Sequence, residues 1–213
     1  SSNTFDLSEL DSLPLVNKLS IKHSHPIWIV NAFYDQLKDW DLVEKLLIAD
    51  NKSTRPDIVC WPDKSNEQEF IKLGAHKIDN LINGYTIDGI PSEFKPIIER
   101  RSGVQDRGSQ IVVEDFIATW KPGLKWLDMC AGPGGKAAYL FHYLNSIEEN
   151  ASFLANEPVP HRAELVKRVI GNDLVVSIDG RDASLFKDTF DRILVDAPCT
   201  GLGALRRRPE ARW

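Results

Sequence analysis

At 213 residues, with 42% hydrophobic and 27% charged side chains, the chain can bury one large core or two small ones. Its net charge of -5 and pI near 5.6 argue against a protein that coats nucleic acid through bulk charge alone. No run reaches the roughly 20 apolar residues of a membrane span, and three scattered cysteines (Cys60, Cys130, Cys199) suit a metal-free protein of the reducing cytoplasm.

Residues 1–24 show no secretory pattern and, polar with scattered leucines, read as a tether. Pro26 suits a first helical turn, and Ile27, Val30, Phe33, Tyr34 and Leu37 follow at helical spacing. A second helix is predicted over Asp41–Ala49. Ile58–Cys60 reads as a strand, and Asn66 with Glu69 as the cap of a helix ending at Gly74. Tyr85–Ile87 and Ile97–Val104 are expected as further strands. The whole of residues 25–105 is thus predicted as a small α+β module, distinct from residues 106–213.

From Val112 the pattern changes. Val113–Trp120 reads as a helix stopped before Lys121-Pro122-Gly123, after which strands and helices alternate. The predicted order is strand Lys125–Cys130, helix Gly135–Leu144, strand Ser152–Asn156, helix Pro160–Ile170, then strands Leu174–Ile178 and Arg192–Asp196. This alternation predicts a Rossmann-like α/β domain with a parallel sheet. Such open sheets normally carry more strands, so the 213 residues are expected to be a fragment.

Two motifs carry the chemistry. Ala131-Gly132-Pro133-Gly134-Gly135 breaks a strand into a glycine turn that opens a helix, where backbone can approach a ligand closely. A phosphate-binding P-loop is excluded, because Cys130 replaces its first glycine and Ala137 its Ser or Thr. A dinucleotide site fits Gly132, Gly134, Ala137 and Glu157; an S-adenosylmethionine site fits Glu157 on the ribose and Asp179 near the adenine. Asp128 either faces the cofactor's amino group or is a satisfied strand-end carboxylate. Cys60 and Cys130 read as packing residues. The second motif is Asp196-Ala197-Pro198-Cys199, a carboxylate and a thiol after an apolar strand. Arg206, Arg207, Arg208 and Arg212 lie close behind it and suit phosphate contact.

With both motifs in this order, the chain resembles the Sun (Fmu) family of RNA cytosine-5 methyltransferases, and within it the branch acting on small-subunit ribosomal RNA. The likeness rests on Leu127 through Lys136, Glu157 with Arg162, Asp179-Gly180-Arg181, Phe190–Thr200, and the tail from Arg206 to Trp213. The entry segment Val104 through Gln110 matches too. It covers residues 104–213 strongly and the earlier residues weakly, where such proteins often carry a small RNA-binding module.

The resemblance implies S-adenosylmethionine as cofactor and RNA as partner, bound by a monomer. Cys130, Ala131, Gly132, Pro133, Gly134, Gly135 and Lys136 would form the cofactor loop. Glu157 would bind the ribose, Asp179 the adenine side, and Asp196 would lie where cofactor and base meet. Glu157 departs from the aspartate usual in the family, with the same acceptor chemistry. In this chemistry a thiolate adds to carbon-6 of cytosine and makes carbon-5 nucleophilic toward the methyl group. The RNA family draws that thiolate from a Thr-Cys element, and Cys199, the Pro-Cys cysteine, assists product release; DNA enzymes attack with the Pro-Cys cysteine. No Thr-Cys occurs in these 213 residues, so the fragment is expected not to complete methyl transfer alone. The competing readings are a dinucleotide oxidoreductase, which leaves Asp196–Cys199 unused, and a non-catalytic RNA-binding assembly protein.

Overall fold

The computed structural model describes residues 7–148, 151–182, 184, 186–187 and 189–213. Two compact units divide the chain: Ser1–Thr54 with Cys199–Trp213, and Arg55–Pro198.

The first unit is helical, with α1 (Leu15–His23), α2 (Ile27–Leu37) and α3 (Trp40–Asp50). Ser24 and Lys38 take left-handed backbone conformations that end α1 and α2, and the Asp39 carboxylate caps α3 by accepting from the amides of Asp41 and Leu42. Leu19, Ile29, Val30, Phe33, Val43 and Leu47 form its core, and Leu205 from the C-terminal segment packs among them. Residues 15–23 are therefore a packed helix where the sequence predicts a tether. Only Leu19 and His23 of α1 are buried, a stripe too narrow to register as amphipathic; packing on its neighbours holds this short helix.

The second unit holds two sheets. The first is antiparallel, built from β1 (Asp57–Cys60), β2 (His76–Lys77), β3 (Gly84–Thr86) and β4 (Ser102–Val104) in the order β2-β3-β1-β4. The Asn66 side chain caps α4 (Glu67–Lys72), as its spacing predicts. The predicted strand Ile97–Val104 is divided: Pro96 starts a helical turn, α5 (Lys95–Ile98), and only Ser102 onward pairs with β1. Asp106 then caps α6 (Arg107–Ile117), which begins and ends earlier than the predicted Val113–Trp120.

The second sheet is parallel: β5 (Trp126–Asp128), β6 (Phe153–Asn156), β7 (Val175–Val176) and β8 (Arg192–Leu194). Their order is β7-β6-β5-β8, with α7 (Gly135–Ile147) and α8 (Pro160–Ile170) as the crossovers from β5 to β6 and from β6 to β7. Helix α8 runs over the predicted residues and stops at Gly171, whose φ is +104°. Chain order reverses between β5 and β8, which opens a crevice at the carboxyl ends of those strands. The antiparallel sheet belongs to this unit with the parallel one. Thus the unit boundary falls at residue 55 rather than at 105. Ties across the two halves explain it: the Ile82 amide donates to the buried Glu114 carboxylate at 2.9 Å, Asn83 Nδ2 donates to the Tyr139 hydroxyl at 3.2 Å, and Trp61 stacks on His142 with ring centres 4.4 Å apart.

Candidate active site

Strand β5 delivers Asp128 to the floor of the crevice with 1% of its surface exposed. Its Oδ1 accepts the Cys130 amide at 3.2 Å, and its Oδ2 has no hydrogen-bond partner among the described residues. Burial, with smaller contributions from Asp196 and Glu157, raises the Asp128 carboxyl to about 7. A buried carboxylate oxygen left open is expensive unless something cationic or hydrogen-donating meets it.

The turn after β5 is tight because its neighbours leave no room for side chains. A Cβ on Gly132 would lie 2.0 Å from Oε2 of Glu157. Gly134 has φ +112°, and a Cβ there would lie 3.1 Å from Val169. The Ala131 amide donates to the Asn156 carbonyl at 2.9 Å, tying the turn to the end of β6. Gly134 supplies no side-chain cap to α7, so the first amides of the helix remain as donors.

Glu157 follows β6 and is buried. Its Oε1 accepts the Val159 amide at 2.9 Å, and Arg162 Nε stands 3.4 Å from Oε2. Asp179, after β7, is exposed and chelated by its neighbour Arg181, which holds its carboxyl down at about 2. Lys136, in the first turn of α7, reaches across the crevice and donates to Asp196 Oδ2 at 2.6 Å. This bond joins the two sequence motifs at the point where strand order reverses. Ala131 is buried and Pro133 lies between the two close-packed glycines. Cys130 is partly buried, and burial raises its thiol, so it stays protonated. Cys60 is buried and pushed up to about 12, which suits packing alone.

The remaining predicted residues lie in the first unit. Cys199 is exposed. Arg206 and Arg208 are exposed and Arg207 is half-buried. Arg212 departs from the expected phosphate-binding role: it is 6% exposed, and its guanidinium donates to Asn51 Oδ1 at 2.8 Å and the Asp50 carbonyl at 3.0 Å. Those acceptors, at the C-terminal end of α3, engage both terminal nitrogens of its guanidinium.

Sequence reasoning passed over Asn156. Fully buried at the end of β6, it donates to the carbonyls of Met129 and Ile178 and accepts the Ile178 amide at 2.9 Å. It thereby clamps the ends of β5 and of the segment after β7. Its place directly before the acidic residue that closes the second strand was the available signal.

Residues 118–213 match the family described as 16S rRNA methyltransferase RsmB/F. Over these residues the chain is similar to this Sun-type methyltransferase family. It is 39% identical to a protein of Mycobacterium tuberculosis named as a methyltransferase, over 90% of this chain and 43% of the relative. It is 36% identical to the ribosomal RNA small subunit methyltransferase B of Photorhabdus laumondii, over 98% of this chain and 50% of that protein. The chain thus spans about half the length of these relatives. Among solved structures, a methyltransferase homologue from Pyrococcus horikoshii superposes with TM-score 0.70 at 19% identity, covering 92% of this chain and 66% of that one. The crystal structure of NSun6 from the same organism with SFG gives 0.66 at 15% identity, covering 81% and 70%. These establish the Rossmann-like methyltransferase fold. RsmB/F methyltransferases depend on S-adenosylmethionine, and the crevice fits that cofactor. The open oxygen of Asp128 and the carboxylates of Glu157, Asp179 and Asp196 complement an ammonium, a sulfonium and ribose hydroxyls. The same carboxylates would repel a dinucleotide's pyrophosphate. Among the described residues no cluster of His, Cys, Asp or Glu could hold a metal, and no helix is long and apolar enough to cross a membrane.

Proposed function

We propose that this chain supplies the cofactor-binding half of a cytoplasmic enzyme that methylates carbon-5 of cytosine in small-subunit ribosomal RNA. The observation that carries the reading is the buried, half-satisfied Asp128 beside a glycine turn, with Lys136 and Asp196 joined across the same crevice. Bound S-adenosylmethionine would supply an electrophilic methyl group on sulfur. Asp128 and Glu157 would hold its ammonium and ribose, the Ala131–Gly135 turn would admit its backbone-facing side, and Asp179 would face the adenine. Lys136 holds the Asp196 carboxylate ready to accept a hydrogen bond from the amino edge of a flipped cytosine. Cys199, three residues after Asp196 and exposed, would act in releasing the methylated base. The thiolate that adds to carbon-6 would come from a Thr-Cys element outside residues 1–213, and that bond would break again as the carbon-5 proton leaves. Arg206, Arg207 and Arg208 are the phosphate-contacting set, and the residues of the antiparallel sheet would contribute to RNA binding.

S-adenosylhomocysteine should raise the melting temperature of this chain by several degrees and NAD should leave it unchanged, as measured by thermal shift. Stabilisation by NAD alone would overturn the cofactor assignment. The relatives' names support ribosomal RNA as the target, and mass spectrometry of ribosomal RNA treated with the full-length enzyme would read 5-methylcytosine directly.

A further inference from the structure

A separate concavity of about 410 Å³ lies in the second unit, behind the glycine turn. Its lining comes from β1 and β4 of the antiparallel sheet, the end of α5, the start of α7 and one face of α8. Pro133, Gly134 and Gly135 of the glycine turn line it, but none of Asp128, Glu157, Asp179 and Asp196 does. Its volume is that of a small-molecule site, a class running from about 300 to 1,000 Å³.

Three features define what would fill it. Trp61, Ile97 and Leu165 give it apolar walls. Gln105, 5% exposed, lines it with neither Oε1 nor Nε2 hydrogen-bonded among the described residues, and the indole nitrogen of Trp61 is likewise unpartnered. Burying an amide with both ends open is costly, and a ligand edge offering one donor beside one acceptor removes that cost. Finally, Arg100 and Arg168 line the cavity, are exposed, and make no ion pair among the described residues. No Asp or Glu lines it. In a chain of net charge -5 this is a locally cationic, apolar slot.

We propose that this cavity binds one nucleotide, with the base between the apolar walls, its hydrogen-bonding edge on the Gln105 amide, and its phosphate on Arg100 and Arg168. An amide fork reads a donor–acceptor base edge, guanidiniums suit phosphate, and an aromatic wall suits a base. The nucleotide can be a unit of the RNA substrate or a free mononucleotide. Only the RNA arm rests on the proposed function, and for that arm the slot grips a base other than the one methylated.

Isothermal titration with UMP, with AMP and with a short single-stranded oligouridylate separates these sources. The controls are S-adenosylhomocysteine binding and two variants: Gln105→Leu, and a double variant at the exposed pair, Arg100→Gln with Arg168→Gln. Binding of a mononucleotide that drops about tenfold in the double arginine variant supports the site and a free-nucleotide source. Binding of the oligonucleotide alone, with the same loss, supports the site and an RNA source. Unchanged affinity in both the arginine and the glutamine variants, or no binding of any probe by a chain that still binds S-adenosylhomocysteine, overturns this inference and leaves the methyl-donor site standing. Loss of S-adenosylhomocysteine binding in the unmodified chain would instead strike the proposed function.

Discussion

Asp57 and Glu114, on the antiparallel side of the second unit, and Asp128, in the parallel sheet, are all buried carboxylates, but they are satisfied differently. Asp57 receives the backbone amide and guanidinium of Arg107, each at 3.1 Å. Glu114 accepts from the Ile82 and Asn83 amides and from the Tyr139 hydroxyl. Asp128 receives one amide and keeps one oxygen open. A saturated buried carboxylate holds elements together, whereas a half-saturated one has capacity left for a ligand. The difference separates scaffold from site within a single compact unit.

The sharpest way to break that contrast is pH. The Asp128 carboxyl stands at about 7 in the folded chain against an ordinary 3.8, so the folded form keeps a proton that the unfolded form has lost. Its contribution to stability is fully present below about pH 4 and disappears as pH rises through 7, a swing of about 4 kcal/mol at most. Asp128→Asn should therefore stabilise the cofactor-free chain more at pH 8 than at pH 4, while abolishing its stabilisation by S-adenosylhomocysteine. A pH-independent difference in denaturant midpoint would refute the assignment.

Glu114→Leu should show the opposite character. It leaves the Ile82 and Asn83 amides and the Tyr139 hydroxyl short of an acceptor, at a cost of about 3 kcal/mol in urea unfolding. S-adenosylhomocysteine affinity should survive wherever the variant folds. The smallest effect is expected for Lys136→Met. Its partner Asp196 is half-exposed, so stability should change by less than about 1 kcal/mol. Methylation by the full-length enzyme should nonetheless fall, and an undiminished rate would show that the Lys136–Asp196 bond is a surface pair without function.

Residues whose roles follow from local chain geometry were legible in advance. Pro160 and Gly171 bound α8, Asn66 caps α4, and the break from β5 into α7 is written in Gly132 and Gly134. Residues whose roles depend on distant partners were not. Arg212 reads like its three neighbours, yet it is drawn into a nest of acceptors from Ser24, Asp50 and Asn51, some 160 to 190 positions away in the chain. Ile97 and Ile98 look like strand residues until Pro96 places them in a helical turn. Residues 15–23 carry too little apolar periodicity to announce a helix, and their neighbours supply what the pattern lacks.

The amino-acid sequence by itself determined the alternation of strands and helices, the glycine turn and the likeness to a methyltransferase family, because periodicity, turn chemistry and motif spacing are properties of neighbouring residues. Only the tertiary structure decided that the antiparallel sheet joins the parallel one in a single unit, that Asp128 is buried with an oxygen to spare, and that Lys136 meets Asp196 sixty positions away. Burial and hydrogen-bond saturation are set by whatever the rest of the chain brings alongside, and no local window contains that information.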